Sequence, residues 1–168
     1  MTHSARGARE ERYLNLFEAN WAVLNDAIRA AKEADRQDFL AQCLRLESEV
    51  PADWRAGAFV ALVLRATLHD AVGTEPSRDG IQAVAETVAE AVAALTSASV
   101  VTTCNAMLTA AGLANATERI TGGAMVVYGA AATGVLLRAS SQPSINDLRE
   151  IVRAFYEENR STLENMDA

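Results

Sequence analysis

Two cysteines and two histidines are the residues of this chain that most often act as nucleophiles or bases. The thiols, Cys43 and Cys104, lie sixty-one positions apart, and His69 is the histidine available to them because His3 lies in a terminal segment expected to fray. A Cys–His pair is activated when a third group orients the base, and no local motif supplies one. The sequence therefore predicts no catalytic residue and two buried, reduced thiols.

Metal and phosphate sites are also poorly supported by the residue pattern. Glu86 and Glu90 lie one helical turn apart without a histidine, and no zinc-type motif occurs. Gly122 and Gly123, with Arg119 nearby, would let backbone amides approach a phosphate, but the Walker pattern and the strand before it are absent. We therefore expect solvated acids, a glycine pair used for close helix packing, and neither a metal nor a cofactor.

A pocket between helices is the alternative source of chemistry. Its lining would draw on polar side chains of the helical segments, namely His69, Cys104, Asn105 and Tyr128. Sequence spacing does not bring these four residues together, so the pocket depends on tertiary packing. A small-molecule-binding protein or enzyme built on this pocket is the second functional hypothesis.

The charge balance limits the classes of partner. The formal net charge is −7, and no predicted helix carries three or more basic residues on one face, so no nucleic-acid partner is expected. Fourteen of the fifteen basic residues are arginine, which with abundant alanine is typical of a GC-rich coding sequence and predicts a bacterial or phage origin. The N-terminal arginines have no apolar run behind them, so no secretory signal is expected and the predicted location is the cytoplasm.

The elements that must carry these residues are predicted to be helices. Apolar residues step by three and four from Leu14 to Ala31, and similar stripes recur along the chain, whereas strand-type alternation is almost absent. This pattern predicts an all-α fold: a compact bundle of six or seven helices with a small-residue-rich central helical hairpin. Residues 11–168 are predicted to form one all-α domain after a flexible N-terminal tail at residues 1–10.

The stretch from Ala91 to Leu137 is the least charged part of the chain. Glu118 and Arg119 are its only charged residues. Its apolar stripe rotates between Thr96 and Ser99, which predicts a break between the fourth and fifth helices with a serine as the new cap. An uninterrupted helix of some thirty residues is the alternative.

The turn before the sixth helix is predicted from three polar or small residues. Gly112 fits the position just past the end of the fifth helix. Asn115 followed by Glu118 resembles a capping box, with asparagine in place of serine or threonine. The sixth helix is therefore predicted to span about residues 116–138.

The predicted sixth helix presents a smooth face of small and apolar residues. The face comprises Val126, Gly129, Ala130, Thr133, Gly134 and Leu137. Small side chains at helical spacing favour close packing, here against the fifth helix as an antiparallel pair. The same face would also suit contact with a second copy of the chain, because symmetric dimers commonly use such surfaces.

A membrane-spanning hairpin at residues 91–137 is the third interpretation. The sixth helix has only eighteen uncharged residues with few large apolar ones, and the other half carries many hydroxyl groups, so a membrane is disfavoured. The preferred hypothesis is a non-enzymatic helical protein–protein interaction module that forms homo-oligomers or binds an unknown protein partner. Its predicted interface is the smooth face of the sixth helix.

Overall fold

A computed structural model describes residues 2–49, 56–140 and 144–158 of the chain. All regular elements within those ranges are helices, which confirms the all-α prediction. The helices are α1 (Thr2–Lys32), α2 (Arg36–Glu49), α3 (Ala56–Val72), α4 (Arg78–Thr96), α5 (Val100–Ala111), α6 (Gly122–Ala139) and α7 (Ile145–Glu158). They form a bundle in which α6 is the central helix.

The position of α6 follows from its small side chains. Residues 125, 126 and 129–137 of this helix are buried, and it packs most extensively against α3 and α1. A Cβ atom at Gly129 would lie 2.6 Å from Cγ1 of Val60, and one at Gly134 would lie 2.8 Å from the backbone nitrogen of Lys32. Glycine at these two positions therefore lets α3 and α1 approach the α6 backbone closely.

The neighbours of α6 differ from the predicted ones. The sequence predicted α5 as the main partner of its smooth face, whereas Gly129 meets α3 and Gly134 meets α1. Helices α5 and α6 do contact each other, but less extensively than α6 contacts α3 and α1. The reason is that α1 also presents a small residue, Ala31, at the crossing point, so two smooth surfaces meet there.

The predicted break between α4 and α5 is present. Ser97 ends α4 in the left-handed conformation, with φ of 64°, and its backbone N–H donates to the carbonyl of Ala93. Ser99 then caps α5, its hydroxyl accepting a hydrogen bond of 3.2 Å from the backbone N–H of Thr102. The two helices are bent by 107° at this corner.

The start of α6 was predicted six residues too early. Asn115 and Glu118 do form the reciprocal hydrogen bonds of a capping box, each accepting a bond of 3.0 Å from the backbone N–H of the other. These bonds close a turn rather than begin a helix, because the N–H of Ile120 donates to the hydroxyl of Thr109 on α5. The helix then starts at Gly122, which has a φ of 61°.

The predicted boundaries of the domain are only partly covered by the structure. Helix α1 reaches back to Thr2, so residues 2–10, predicted as a tail, belong to the same helix as the buried residues Phe17 to Ala31. Residues 159–168 of the predicted domain lie outside the described residues. The division into a tail and a domain from residue 11 onward stays a prediction.

One described helix is long and apolar enough to span a membrane by composition alone. It is α6, with a mean hydropathy of 1.3, and 61% of it is buried inside the bundle. Helices α4 and α5 pass the same criterion together only as a pair, bent at the 107° corner. A buried core helix of a soluble protein meets the same criterion.

Candidate functional site

The six residues predicted as an interface lie inside the bundle. Val126, Ala130, Thr133 and Leu137 are at most 3% exposed, and both glycines of the face are buried. The hydroxyl of Thr133 donates to the carbonyl of Gly129 at 2.8 Å, so it needs no partner outside the helix. The smooth face therefore forms intramolecular contacts, and a second chain would have to contact other residues.

The four residues predicted to line a polar pocket do not share one cavity. Cys104 and Asn105 line a cavity of about 290 Å³ between α4 and α5, and neither His69 nor Tyr128 is among the residues around it. His69 is exposed in the last turn of α3, and Tyr128 is half-buried against the core. Cys104 and Asn105 instead share their cavity with residues of α4 between Arg78 and Glu86.

A paired arginine closes one end of the cavity between α4 and α5. Arg78 donates to both carboxylate oxygens of Glu118, at 2.9 and 2.6 Å, and also to the carbonyl of Leu113 at 2.9 Å. The two bonds from Arg78 to Glu118, with the bond from the backbone N–H of Asn115, lower the pKa of Glu118 from 4.5 to about 2. The pair thus anchors the loop before α6 to the start of α4.

Neither thiol is in a setting that would activate it. Burial, with a smaller contribution from the Glu47 carboxylate, raises the pKa of Cys43 to about 12. Burial is also the main cause that raises the pKa of Cys104, followed by the charge of Glu118. Both side chains are therefore thiols rather than thiolates near neutral pH, and thiolate is the nucleophilic form.

A larger groove, not foreseen from the sequence, lies where α2, α3 and α6 meet. Its volume is about 580 Å³, which is in the range typical of small-molecule sites. The lining is mostly apolar, with Leu46 and Glu47 from α2, residues 56–58 and 61 from α3, Thr109, and residues 120–123, 125 and 126 around the start of α6. We call this the α2–α3–α6 groove.

Close backbone contact shapes the floor of the α2–α3–α6 groove. A Cβ atom at Gly57 would lie 2.9 Å from the carbonyl oxygen of Gly122, so α3 and α6 touch through their backbones. A Cβ atom at Gly123 would lie 2.9 Å from Oε1 of Glu47. Gly122 thus lies in backbone contact with α3, and Gly123 leaves room for the Glu47 carboxylate near the positive end of the α6 dipole.

A buried polar side chain lies behind the groove. Asn20 on α1 is 5% exposed, and its Nδ2 atom has no hydrogen-bond partner. Asn20 lines a small cavity of about 10 Å³, and Leu46 and Ala56 line both this cavity and the groove. The α1 stripe gave no signal for this residue, because asparagine at a core position breaks the apolar pattern that identifies core faces.

Two leucines on α2 are among the exposed large apolar residues, which also include Val100 and Val101 at the start of α5 and Ile151 on α7. Leu44 is 67% exposed and Leu40 is 37% exposed, one turn before it on the same side of the helix. Phe39, Cys43 and Leu46 take up the core-facing side of α2. We refer to Leu40 and Leu44 together as the α2 leucine pair.

Within the described residues, no three His, Cys, Asp or Glu side chains are grouped so that they could hold a metal ion. Comparison of the chain with protein-family models, with curated proteins and with solved structures finds no match.

Proposed function

We propose that this protein is a non-enzymatic helical interaction module that self-associates through the outer face of α2. The observation that carries the proposal is the α2 leucine pair, which leaves two large apolar side chains in water on an otherwise well-packed helix. Exposed apolar groups that lie together, and not singly, are typical of contact surfaces. The smooth face of α6 does not serve this purpose, since it is buried within the chain.

The surroundings of the leucine pair suit an interface with a polar rim. Arg45 donates to Gln42 at 2.7 Å, to Glu49 at 3.2 Å and to Asp26 of α1 at 3.4 Å. This network ties α2 to α1 and places charged groups beside the leucines. Apolar centres surrounded by polar rims are the usual arrangement of protein–protein contacts.

A symmetric dimer would bury the α2 leucine pair of both chains. Complete burial of an exposed leucine side chain contributes about 1.5–3 kcal/mol. The exposed parts of Leu40 and Leu44, 37% and 67%, amount to about one leucine per chain, so a two-fold dimer gains about 3–6 kcal/mol from them and the polar rim must help to offset the cost of association. The raised pKa values of Cys43 and Cys104 disfavour the thiolate, the nucleophilic form, so neither thiol supports a catalytic role.

Charge substitution of the leucine pair tests this proposal. We expect wild-type protein to show a dimer mass by light scattering, twice the 17.9 kDa of the chain, and Leu44→Glu to show the monomer mass. A carboxylate in an apolar interface is costly to desolvate, so it opposes the dimer without disturbing the core. The matched control is Ala19→Glu, which adds the same charge at an exposed position of α1 and should stay dimeric. Equal masses for wild type and Leu44→Glu would refute the α2 interface.

A further inference from the structure

The α2–α3–α6 groove is an apolar volume that shares two lining residues, Leu46 and Ala56, with a small cavity that holds a buried polar group. Its volume of about 580 Å³ admits a small organic molecule, and apolar side chains such as Ile120, Met125 and Val126 line it. These side chains would bind the apolar body of a ligand by removing its surface from water. Apolar lining alone gives little selectivity, so the polar groups around the groove decide the ligand class.

The buried polar group in the small cavity is the side-chain amide of Asn20. Its Nδ2 atom is a donor without a partner on a side chain that is 95% buried, since 5% is exposed. A buried donor of this kind costs stability unless something accepts its hydrogen bond. Leu46 and Ala56 border both the groove and the small cavity beside Asn20, so only these two side chains are shared walls between the groove and the space that holds the amide.

Glu47 limits the charge of the ligand. It is the only charged side chain among the described residues that line the groove. It belongs to α2, and its carboxylate lies close to Gly123 in the first turn of α6. A carboxylate or phosphate in the groove would be repelled by Glu47, in a chain that already carries a net charge of −7. The favoured ligand therefore carries no negative charge.

We propose that the α2–α3–α6 groove binds a largely apolar small molecule that has a carbonyl-type acceptor and no negative charge, and that the amide of Asn20 donates a hydrogen bond to that acceptor. The small cavity beside Asn20, about 10 Å³, has room for one acceptor atom and not for the body of a ligand. The apolar body lies in the groove, and the acceptor points inward past Leu46. This binding role is independent of self-association through α2.

The test uses two probes that differ only in the acceptor. Butyrophenone carries a carbonyl group, and butylbenzene is its carbonyl-free analogue. In ¹⁵N-labelled full-length protein, we expect butyrophenone to shift the side-chain amide resonance of Asn20 and to bind about fivefold more tightly than butylbenzene, as one added hydrogen bond to a neutral donor implies. Butylbenzene should leave the Asn20 resonance in place.

Three variants assign the effect to the groove and to Asn20. Ala58→Trp places a large side chain at the groove. It should weaken binding of both probes at least about tenfold, because the probes lose contact area. The control Ala71→Trp, at an exposed position in the last turn of the same helix, should leave binding of both probes unchanged. Asn20→Leu should bind both probes equally. Since Asn20→Leu also changes the core, the Asn20 resonance in wild-type protein provides the measurement that does not depend on this variant folding.

Each contrary outcome overturns a defined part of the proposal. Absence of saturable binding by either probe, or equal binding to wild type and Ala58→Trp, refutes the groove as a ligand site. Binding of both probes with equal affinity, or an unchanged Asn20 resonance with butyrophenone, refutes the role of Asn20. The titration is repeated on Leu44→Glu, so that a failure of self-association and a failure of ligand binding are observed separately.

Discussion

At the residue scale, glycine on α6 determines how closely the bundle packs. Gly134 faces the end of α1, where an added Cβ would lie 2.8 Å from the nitrogen of Lys32 and 2.9 Å from the carbonyl oxygen of Ile28. Both neighbours are backbone atoms of a helix, so they cannot move aside as a flexible side chain would. The position therefore excludes even a methyl group, although alanine is the better helix former.

We predict that Gly134→Ala lowers the free energy of unfolding by about 1–3 kcal/mol, the usual cost of forcing extra volume into a packed core. Urea unfolding followed by circular dichroism measures the change. Gly7→Ala is the matched control, because nothing lies within 4 Å of a Cβ added at Gly7 in α1. There the alanine should be neutral or stabilising, by up to about 1 kcal/mol. Equal effects at the two positions would contradict the packing argument.

Glu118 gives a second prediction at this scale, on the dependence of stability on pH. Its pKa is lowered from 4.5 to about 2 by Arg78 and the backbone N–H of Asn115. A carboxyl group with a lowered pKa stabilises the fold at pH above its unfolded value, and this stabilisation is lost as the pH falls through the folded value. The contribution of Glu118 should therefore disappear between about pH 4.5 and pH 2.

The Glu118→Gln variant isolates this contribution. We expect its melting temperature to be below that of wild type at pH 6, and the difference to shrink steadily as the pH falls from 4.5 to 2. Glutamine keeps the shape of the side chain but cannot form the charged pair with Arg78. A difference that stays constant over this pH range would show that the pair does not hold the loop before α6.

At the element scale, the corner between α4 and α5 was predictable and the start of α6 was not. The rotated apolar stripe and the serines after Thr96 are local signals, and each is visible without tertiary contacts. The capping pattern at Asn115 is equally local, but Arg78 of α4, forty residues from Glu118, and Thr109 of the preceding helix hold that turn in another arrangement. The local hydrogen bonds at Asn115 were thus predicted correctly, but tertiary contacts make them part of a turn that precedes α6.

The cap of α5 supports a prediction at this scale. Ser99→Ala removes the side-chain oxygen that accepts from Thr102, and we expect it to lower the free energy of unfolding by about 1 kcal/mol. Ser99→Asp keeps an acceptor at the same place and adds a favourable charge near the helix start, so its stability should match that of wild type within a few tenths of a kcal/mol. Chemical unfolding of the three proteins measures both effects. A loss in Ser99→Asp as large as in Ser99→Ala would mean that the cap is not the cause.

At the scale of the whole molecule, the sequence identified the helix face that is formed by small side chains but not the elements that this face contacts. The small residues around Gly129 and Gly134 were predicted for close packing or for an interface, and the bundle uses them for packing against α3 and α1. The α2–α3–α6 groove was missed because its lining comes from separate helices whose meeting point leaves no periodic signal. Asn20 was missed for the related reason that its neighbours across the core belong to α2 and α3.

The central claim concerns the α2 leucine pair, since burial of the α6 face leaves α2 as the surface proposed for self-association. Sedimentation equilibrium of the wild-type chain over roughly 1–100 μM tests it most directly, because dissociation constants in this range, about 5.5–8 kcal/mol, are those of small and weak protein–protein contacts. We predict a weight-average mass that rises with concentration from 17.9 kDa towards twice that value. A mass of 17.9 kDa at every concentration would contradict the account.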